Sequence, residues 1–227
     1  MENQPQAPSQ KPVKSRRTQH ERREEATRRI LESAIELICE KGMAGVTMRE
    51  IGARSGYSRA LTAHHYGDKE GLLVALVDQI GVNIRKARLA NSHAKPGLET
   101  VLEIVRFTLG RDPAHLKVLQ AFNVILSEGR SPGGPVALAL ERMTRESAAH
   151  IEAELRIGIE EGEIRSDLDP AEEAMAIVGT IRGISAQFLF GASHVNAEGV
   201  RQSIVSILER GLASLPTRSV RSRPIRR

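Results

Sequence analysis

Hydrophobic positions along this chain recur at three- and four-residue intervals, the period of a helix buried on one side. Ile30, Ala34, Leu37 and Ile38 share a face, while Arg28, Arg29, Glu32, Glu36 and Glu40 fall elsewhere. That run should stop at Gly42, which can take a left-handed backbone after Lys41. Thr47 and Glu50 have the spacing of a capping box, so a second helix opens there and ends at Gly56. Ser58 caps a third short helix from Arg59 to about His65, and Asp68 a long fourth one carrying Leu72, Leu73, Leu76, Val77 and Ile80. Every later segment keeps helical spacing. Its breaks fall at Lys95-Pro96-Gly97, Arg111-Asp112-Pro113, Ser131 to Pro135, Ser166 to Pro170 and Ser193 to Asn196. Asp112-Pro113 and Asp169-Pro170 each set an N-cap beside a proline at the first helical position. No stretch alternates with period two over a strand length. The expected fold class is all-α.

Composition narrows this picture. With 227 residues, 40% of them hydrophobic, the chain can bury a sizeable core and is too apolar to be wholly disordered. The net charge of +5 is unevenly spread. Residues 1–69 hold 13 Lys and Arg against 9 Asp and Glu, residues 70–216 hold 15 against 19, and the last eleven carry five arginines and no acid. Basic ends around an acidic middle suit one region meeting a polyanion while the middle does something else; tails that only aid solubility are the plainer alternative. Aromatics make up 3% and tryptophan is absent, which counts against a base-stacking RNA platform. The single Cys39 excludes intramolecular disulfides and CxxC sites and fits a reducing, cytoplasmic compartment. Its apolar neighbours on the first helix make it an inert core thiol.

Neither a Walker loop, a GxSxG elbow nor an HExxH helix is present, so no enzyme, cofactor or metal is expected. His64 and His65, adjacent on one helix, point apart and make a poor metal pair. Met1 to Lys14 is polar with three prolines, unlike a signal peptide, and residues 1–20 should form a disordered basic arm. Ala174 to Ala192 imitates a membrane span with Arg182 as its only charge, but that arginine and three glycines favour a helix buried in a soluble protein, with no membrane partner.

The informative segment runs from Thr47 to Tyr66. Two short helices join at Ser55-Gly56-Tyr57, where Gly56 supplies a positive φ. Ile51 and Leu61 should pack inward, Gly52 and Ala53 should let the helices cross closely, and Arg59, Thr62 and His64 should face outward. That is the layout of a helix-turn-helix whose second helix enters the major groove. Thr47, Arg49, Ser58 and Lys69 are placed to hold phosphates. Arg59 can take guanine O6 and N7, and Ala60 or Leu61 a thymine methyl. A purely structural helical corner would use the same glycine.

Four clusters extend the motif: Glu40-Lys41-Gly42, Val46-Thr47-Met48-Arg49-Glu50-Ile51, Ser55-Gly56-Tyr57-Ser58, and Tyr66-Gly67-Asp68-Lys69-Glu70-Gly71-Leu72-Leu73. In order and spacing, from about Arg22 to Ile80, they resemble the TetR family of bacterial transcriptional regulators. The resemblance implies an N-terminal three-helix DNA-binding domain with a helix-turn-helix, joined by a long helix to a helical ligand-binding and dimerisation domain. It implies a homodimer on double-stranded operator DNA, released by a small-molecule inducer. It places Thr47, Met48 and Arg49 at the DNA and Lys69 on a phosphate. The chain departs from the pattern at Ala60, Thr62 and Ala63; an aromatic that contacts a phosphate in relatives would fall at Ala63. His64 is the candidate to take over that contact, while His65 should pack within the domain.

Farther along, Ala176, Gly179, Gly183 and Ala186 form a row of small residues, with Ile177, Ile181, Ile184 and Phe188 on another face. A last helix, about Ala197 to Leu212, carries Val200, Ile204, Ile207, Leu208 and Gly211 on one stripe. In relatives the last two helices pair with their symmetry mates, which puts the interface at about 171–192 and 197–212. Roughly Gly97 to Gly162 should build a ligand chamber. Phe107, Leu119, Phe122, Leu126, Met143 and Phe188 are the apolar candidates for its lining, and Asn123, His150 and Arg182 the polar ones. Ordinary core packing is the alternative for each apolar residue. Arg182 inside an apolar helix must meet either an internal acid or an anionic ligand. The expected organisation is an arm at 1–20, a DNA-binding domain at 21–82 with its motif at 47–66, a ligand and dimer domain at 83–215, and an arginine-rich tail at 216–227. Repression is expected rather than activation, because a dimer on an operator blocks polymerase without further contacts.

Overall fold

The computed structural model of the chain describes residues 18–91, 93–110, 112–129, 131–189 and 196–214; the tail and most of the expected arm lie outside them. The described residues form nine helices: α1 (Gln19–Lys41), α2 (Met48–Ser55), α3 (Arg59–Tyr66), α4 (Lys69–Asn91), α5 (Leu98–Thr108), α6 (Pro113–Glu128), α7 (Pro135–Glu160), α8 (Pro170–Leu189) and α9 (Ala197–Leu212). Among them no residues form a strand; one isolated antiparallel bridge, Ile164 with Ala213, ties the end of α9 to the turn after α7. The proline-led starts hold as expected. Asp112 accepts from the His115 amide at 2.9 Å, and Asp169 from Ala171 and Glu172 at 2.8 and 3.1 Å. One start lies earlier than the composition suggests. Thr18 accepts from the Glu21 amide at 3.2 Å while the Glu21 carboxylate accepts from the Thr18 amide at 2.7 Å, a capping box that draws residues 19 and 20 of the expected arm into α1.

Buried side chains fall into two cores. The first joins Ile30, Leu37 and Ile38 of α1, Ile51 of α2 and the apolar face of α4 to Phe122 and Ile125 of α6 and Val136 and Leu140 of α7. The second joins Val101 and Val105 of α5 to Ile151 and Leu155 of α7, Ile177 of α8 and Val205 and Leu212 of α9. Core packing therefore does not divide at residue 82: α6 and the first half of α7 belong with the N-terminal helices. A fully buried Leu or Ile contributes about 1.5–3 kcal/mol, so α6, packed on α1, and α7, packed on α4, are substantial supports of the N-terminal helices. Polar contacts reinforce the joint. The Glu128 carboxylate at the end of α6 accepts from the Met43 and Ala44 amides at 2.8 and 3.2 Å, and Lys117 meets Glu36 at 3.1 Å.

The last two helices are one-sided. On α8, Ala174, Ile177, Val178 and Ile181 are buried, while Met175, Ala176, Gly179 and Gly183 face outward. Among the described residues no helix is long and apolar enough to cross a membrane; the expected apolar run is described only to Leu189. The stripe read along α9 splits. Val205 is buried and Ile204 and Leu208 pack on the second core, whereas Ile207 is 55% exposed and Gly211 is exposed.

Candidate functional site

The α2–α3 unit is built from contacts within a few residues. Thr47 caps α2, accepting from the Glu50 amide at 3.3 Å, while Glu50 accepts from the Thr47 amide and hydroxyl at 3.1 and 2.8 Å. Lys41 donates to the same carboxylate at 2.7 Å, and these bonds hold Glu50 down at about 2. Gly56 ends α2 at φ +80°. Gly52 is required by close approach rather than by φ, because a Cβ there would lie 2.9 Å from the Tyr57 carbonyl oxygen and 3.2 Å from the Arg59 nitrogen. Ala53, by contrast, is exposed and plays no part in the crossing.

Ser58 caps α3 by accepting from the Leu61 amide at 3.1 Å. The buried residue of α3 is Thr62, fully enclosed, and not the half-exposed Leu61. The expected orientation is thus exchanged between the two. Thr62 can go inside because its hydroxyl donates to the Ser58 carbonyl at 3.1 Å and needs no outside partner. Leu61 instead borders a recess with Arg22, Arg23 and Arg29 of α1, Tyr57 and His65. Burial and the nearby Arg23 push the His65 imidazole below its usual range.

The outward surface carries Arg59, Ala60 and His64 on α3 and Arg49 on α2, all exposed. Other cations are occupied structurally: Arg54 pairs with Glu40 at 2.9 Å, and Lys69 donates to the Ala44 carbonyl at 3.4 Å from a half-buried stem. The Thr47 hydroxyl is engaged in its capping box, and Met48 packs partly against the first core. Cys39 lies half-buried with its thiol pushed up by desolvation.

A cavity of about 900 Å³, counted with the solvent at its mouth, opens at the seam between the two cores. The seam has a cause in α7. Buried positions lapse between Leu140 and Ile151, roughly 16 Å along the helix axis, and there Met143, Ser147 and His150 face the space. Leu119, Phe122 and Asn123 of α6 and Arg182 of α8 line it as well. The Arg182 guanidinium lies 5.8 Å from the Phe122 ring centre. Phe107 packs on His115 with ring centres 5.4 Å apart, Leu126 packs on the first core, and neither these two nor Phe188 is among the lining residues.

Residues 30–76 match the family model of the bacterial regulatory proteins, tetR family. Over that stretch, well under half of the chain, the sequence is similar to the TetR family. An HTH-type transcriptional repressor of Mycobacterium tuberculosis, Rv3405c, is 36% identical over 84 residues, which make up 37% of this chain and 44% of that protein. The aligned stretch thus spans under half of that relative. A TetR-family regulator from Rhodococcus sp. shares the fold at TM-score 0.76 with 19% identity, over 84% of this chain and all of that one. AibR, solved with isovaleryl coenzyme A and operator DNA, aligns at TM-score 0.61 and 23% identity over 80% of this chain and 97% of its own.

The expected site residues fall in two places. Ser58, Arg59, Ala60, Leu61 and His64 gather on α3 with Arg49 and Lys69 beside it, and the cavity residues lie around α7. Sequence reasoning missed Arg22, Arg23 and Arg29 beside α3, which the arginine-rich start of α1 signals. It also missed the α4 and α5 share of the cavity, Gly81, Ile84, Arg85, Ile104 and Thr108. Its usable signal was the polar stretch Glu141 to His150 interrupting an apolar stripe.

Proposed function

We propose that this chain is a DNA-binding transcriptional regulator, a dimeric repressor that binds a palindromic operator and leaves it when a small molecule enters the cavity. The observation that carries the reading is α3. Its capped N-terminus presents Arg59 and Ala60 to solvent while Thr62 anchors its other side. A short helix so presented suits the major groove, with Arg59 reading base edges and Arg49, Lys69 and His64 on phosphates.

Two-fold pairing of operator half-sites calls for a dimer. The outward faces of α8 and α9, with Gly179, Gly183, Ile207 and Gly211, supply small and apolar surface for a second copy to cover. The operator and ligand bound by AibR support the same division of labour here. Such a regulator works in the cytoplasm.

The test is selection of bound fragments from the source genome, followed by gel retardation at graded salt. A recovered palindrome with half-sites ~34–36 Å apart, or a multiple of that, bound with a steep salt dependence, is the expected result. Failure to retard any fragment in dilute buffer overturns it.

A further inference from the structure

Resting on the reading of α3 as the helix that enters the groove, we propose that the first turns of α1 are a second DNA-contact element. Arg22 and Arg23, across a recess from Leu61 and His65, hold backbone phosphates at the edge of that groove.

The recess joins two separate helices. Arg22, Arg23 and Arg29 come from α1, Tyr57 from the turn before α3, and Leu61 and His65 from α3 itself. At about 100° per residue, Leu61 and His65 stand roughly a quarter turn round α3 from the outward Ala60 and His64. An α-helix with its side chains is about 10–12 Å across and the major groove about 12 Å wide, so a flank of α3 seated there faces a phosphate ridge. The arginines lie on that flank. The capping box of Thr18 and Glu21 keeps this turn of α1 helical and so fixes where they stand.

Within the described residues these two charges serve no structural purpose. The acids around them are engaged elsewhere: Glu21 in the capping box, Glu24 with His20 at 3.3 Å, Glu25 with Arg28 and Arg29 at 3.5 and 3.7 Å, and Glu32 with Arg28 at 2.9 Å. Among the described residues neither Arg22 nor Arg23 makes an ion pair, and both are exposed. Their position also works against α1, since positive charge near a helix N-terminus opposes the helix dipole. A phosphate satisfies the arginines and that dipole together. After burial, Arg23 is the next cause holding the His65 imidazole below its usual range, the mark of positive potential in the recess.

Gel retardation of the full chain at graded salt tests this, with the operator recovered by fragment selection and an unrelated duplex of equal length. Arg22→Gln and Arg23→Gln should each weaken both DNAs by the same factor, roughly tenfold, and flatten the logarithmic salt slope by about one per half-site. Their thermal midpoints should hold or rise slightly, because a charge opposed to the dipole is gone. Arg28→Gln is the control: it removes the same charge from the same helix, but from the face paired with Glu32. Ethylation of single phosphates locates the contact: sites at the half-site edge that stop the parent when ethylated should no longer matter to the double variant. Unchanged slopes and an unchanged ethylation pattern overturn the proposal and leave the groove helix standing. An equal loss in Arg28→Gln overturns it too, since a diffuse field and not a contact would then be at work. A loss on the operator alone would make the pair base readers, and a fallen midpoint would assign them to the fold; either removes the phosphate role. If the unmodified chain retards no fragment at all, the groove reading fails and this one with it.

Discussion

The two candidate sites are made in opposite ways. On the α2–α3 surface the capping and turn hydrogen bonds span at most five residues: Thr47 with Glu50, Ser55 with the Gly52 carbonyl at 3.0 Å, Tyr57 amide with Gly52 at 2.8 Å, Thr62 with Ser58. The cavity draws its lining from α4, α5, α6, α7 and α8, from Gly81 to Ser185. The first is a stiff platform whose chemistry points away from the protein. The second is a lapse in packing between two cores, so a guest there bears on several helices at once. What joins them is α6, which lines the cavity through Phe122 and supports α1 through Ile125 and Glu128. The contrast is thus between local and distributed construction, not between independent halves.

The strongest way to break that statement is Ile125→Ala. Ile125 is completely buried, and emptying such a site costs about 2–5 kcal/mol. Because α6 packs on α1, amides of α1 and α2 should lose hydrogen-exchange protection together with those of α6. If α1 and α2 stay protected while α6 opens, the N-terminal helices stand alone and the shared core is wrong.

This difference in construction explains what could be read in advance. Capping pairs, the Gly56 turn and the proline-led starts of α6 and α8 are decided by neighbours in the chain, so they were legible. The exchange of Leu61 and Thr62 was not: polarity alone places Thr62 outside, and only the geometry of an eight-residue helix lets its hydroxyl bond back to Ser58. Phe107 was assigned to the cavity by bulk and polarity, but which apolar side chains meet empty space depends on how distant helices miss one another. The same holds for Arg85, whose place at the mouth follows from its 2.8 Å pair with Glu146, 61 residues away.

On the platform, Arg59→Ala should weaken operator binding by about 1–3 kcal/mol and relax one base preference, measured on single-base operator variants. Equal protection of every variant by parent and mutant removes Arg59 as a reader. Lys69→Ala should instead weaken all sequences alike and flatten the logarithmic salt slope by about one; an unchanged slope leaves Lys69 with only its contact to Ala44.

Gly52→Ala sharpens the local side of the comparison, because two effects oppose. Alanine gains about 1 kcal/mol of helix propensity. A Cβ 2.9 Å from the Tyr57 oxygen, with the Ser58 carbonyl carbon at 3.2 Å, faces backbone that cannot swing aside, and overpacking of this kind costs about 1–3 kcal/mol. The net should be a loss of roughly 1 kcal/mol in chemical denaturation, with operator binding reduced further as α3 is pushed from its angle. A gain in stability would mean the two helices cross more loosely than their backbones indicate.

The smallest effect isolates one charge on the platform. Glu50 sits at about 2 instead of its ordinary 4.5, held down by Lys41 first and by Thr47 after it. A carboxyl depressed on folding stabilises the folded chain fully above its unfolded value, and that contribution fades as pH falls toward the folded one. Glu50→Gln keeps one oxygen able to accept from the Thr47 amide, and it removes the charge together with the oxygen that accepts from Lys41. The Tm difference between parent and mutant should therefore be constant above about pH 5 and close between about pH 4.5 and 2. A gap that persists unchanged to pH 2 would show that the Lys41 pairing adds nothing, leaving α2 held by its capping bonds and by the buried Ile51 alone.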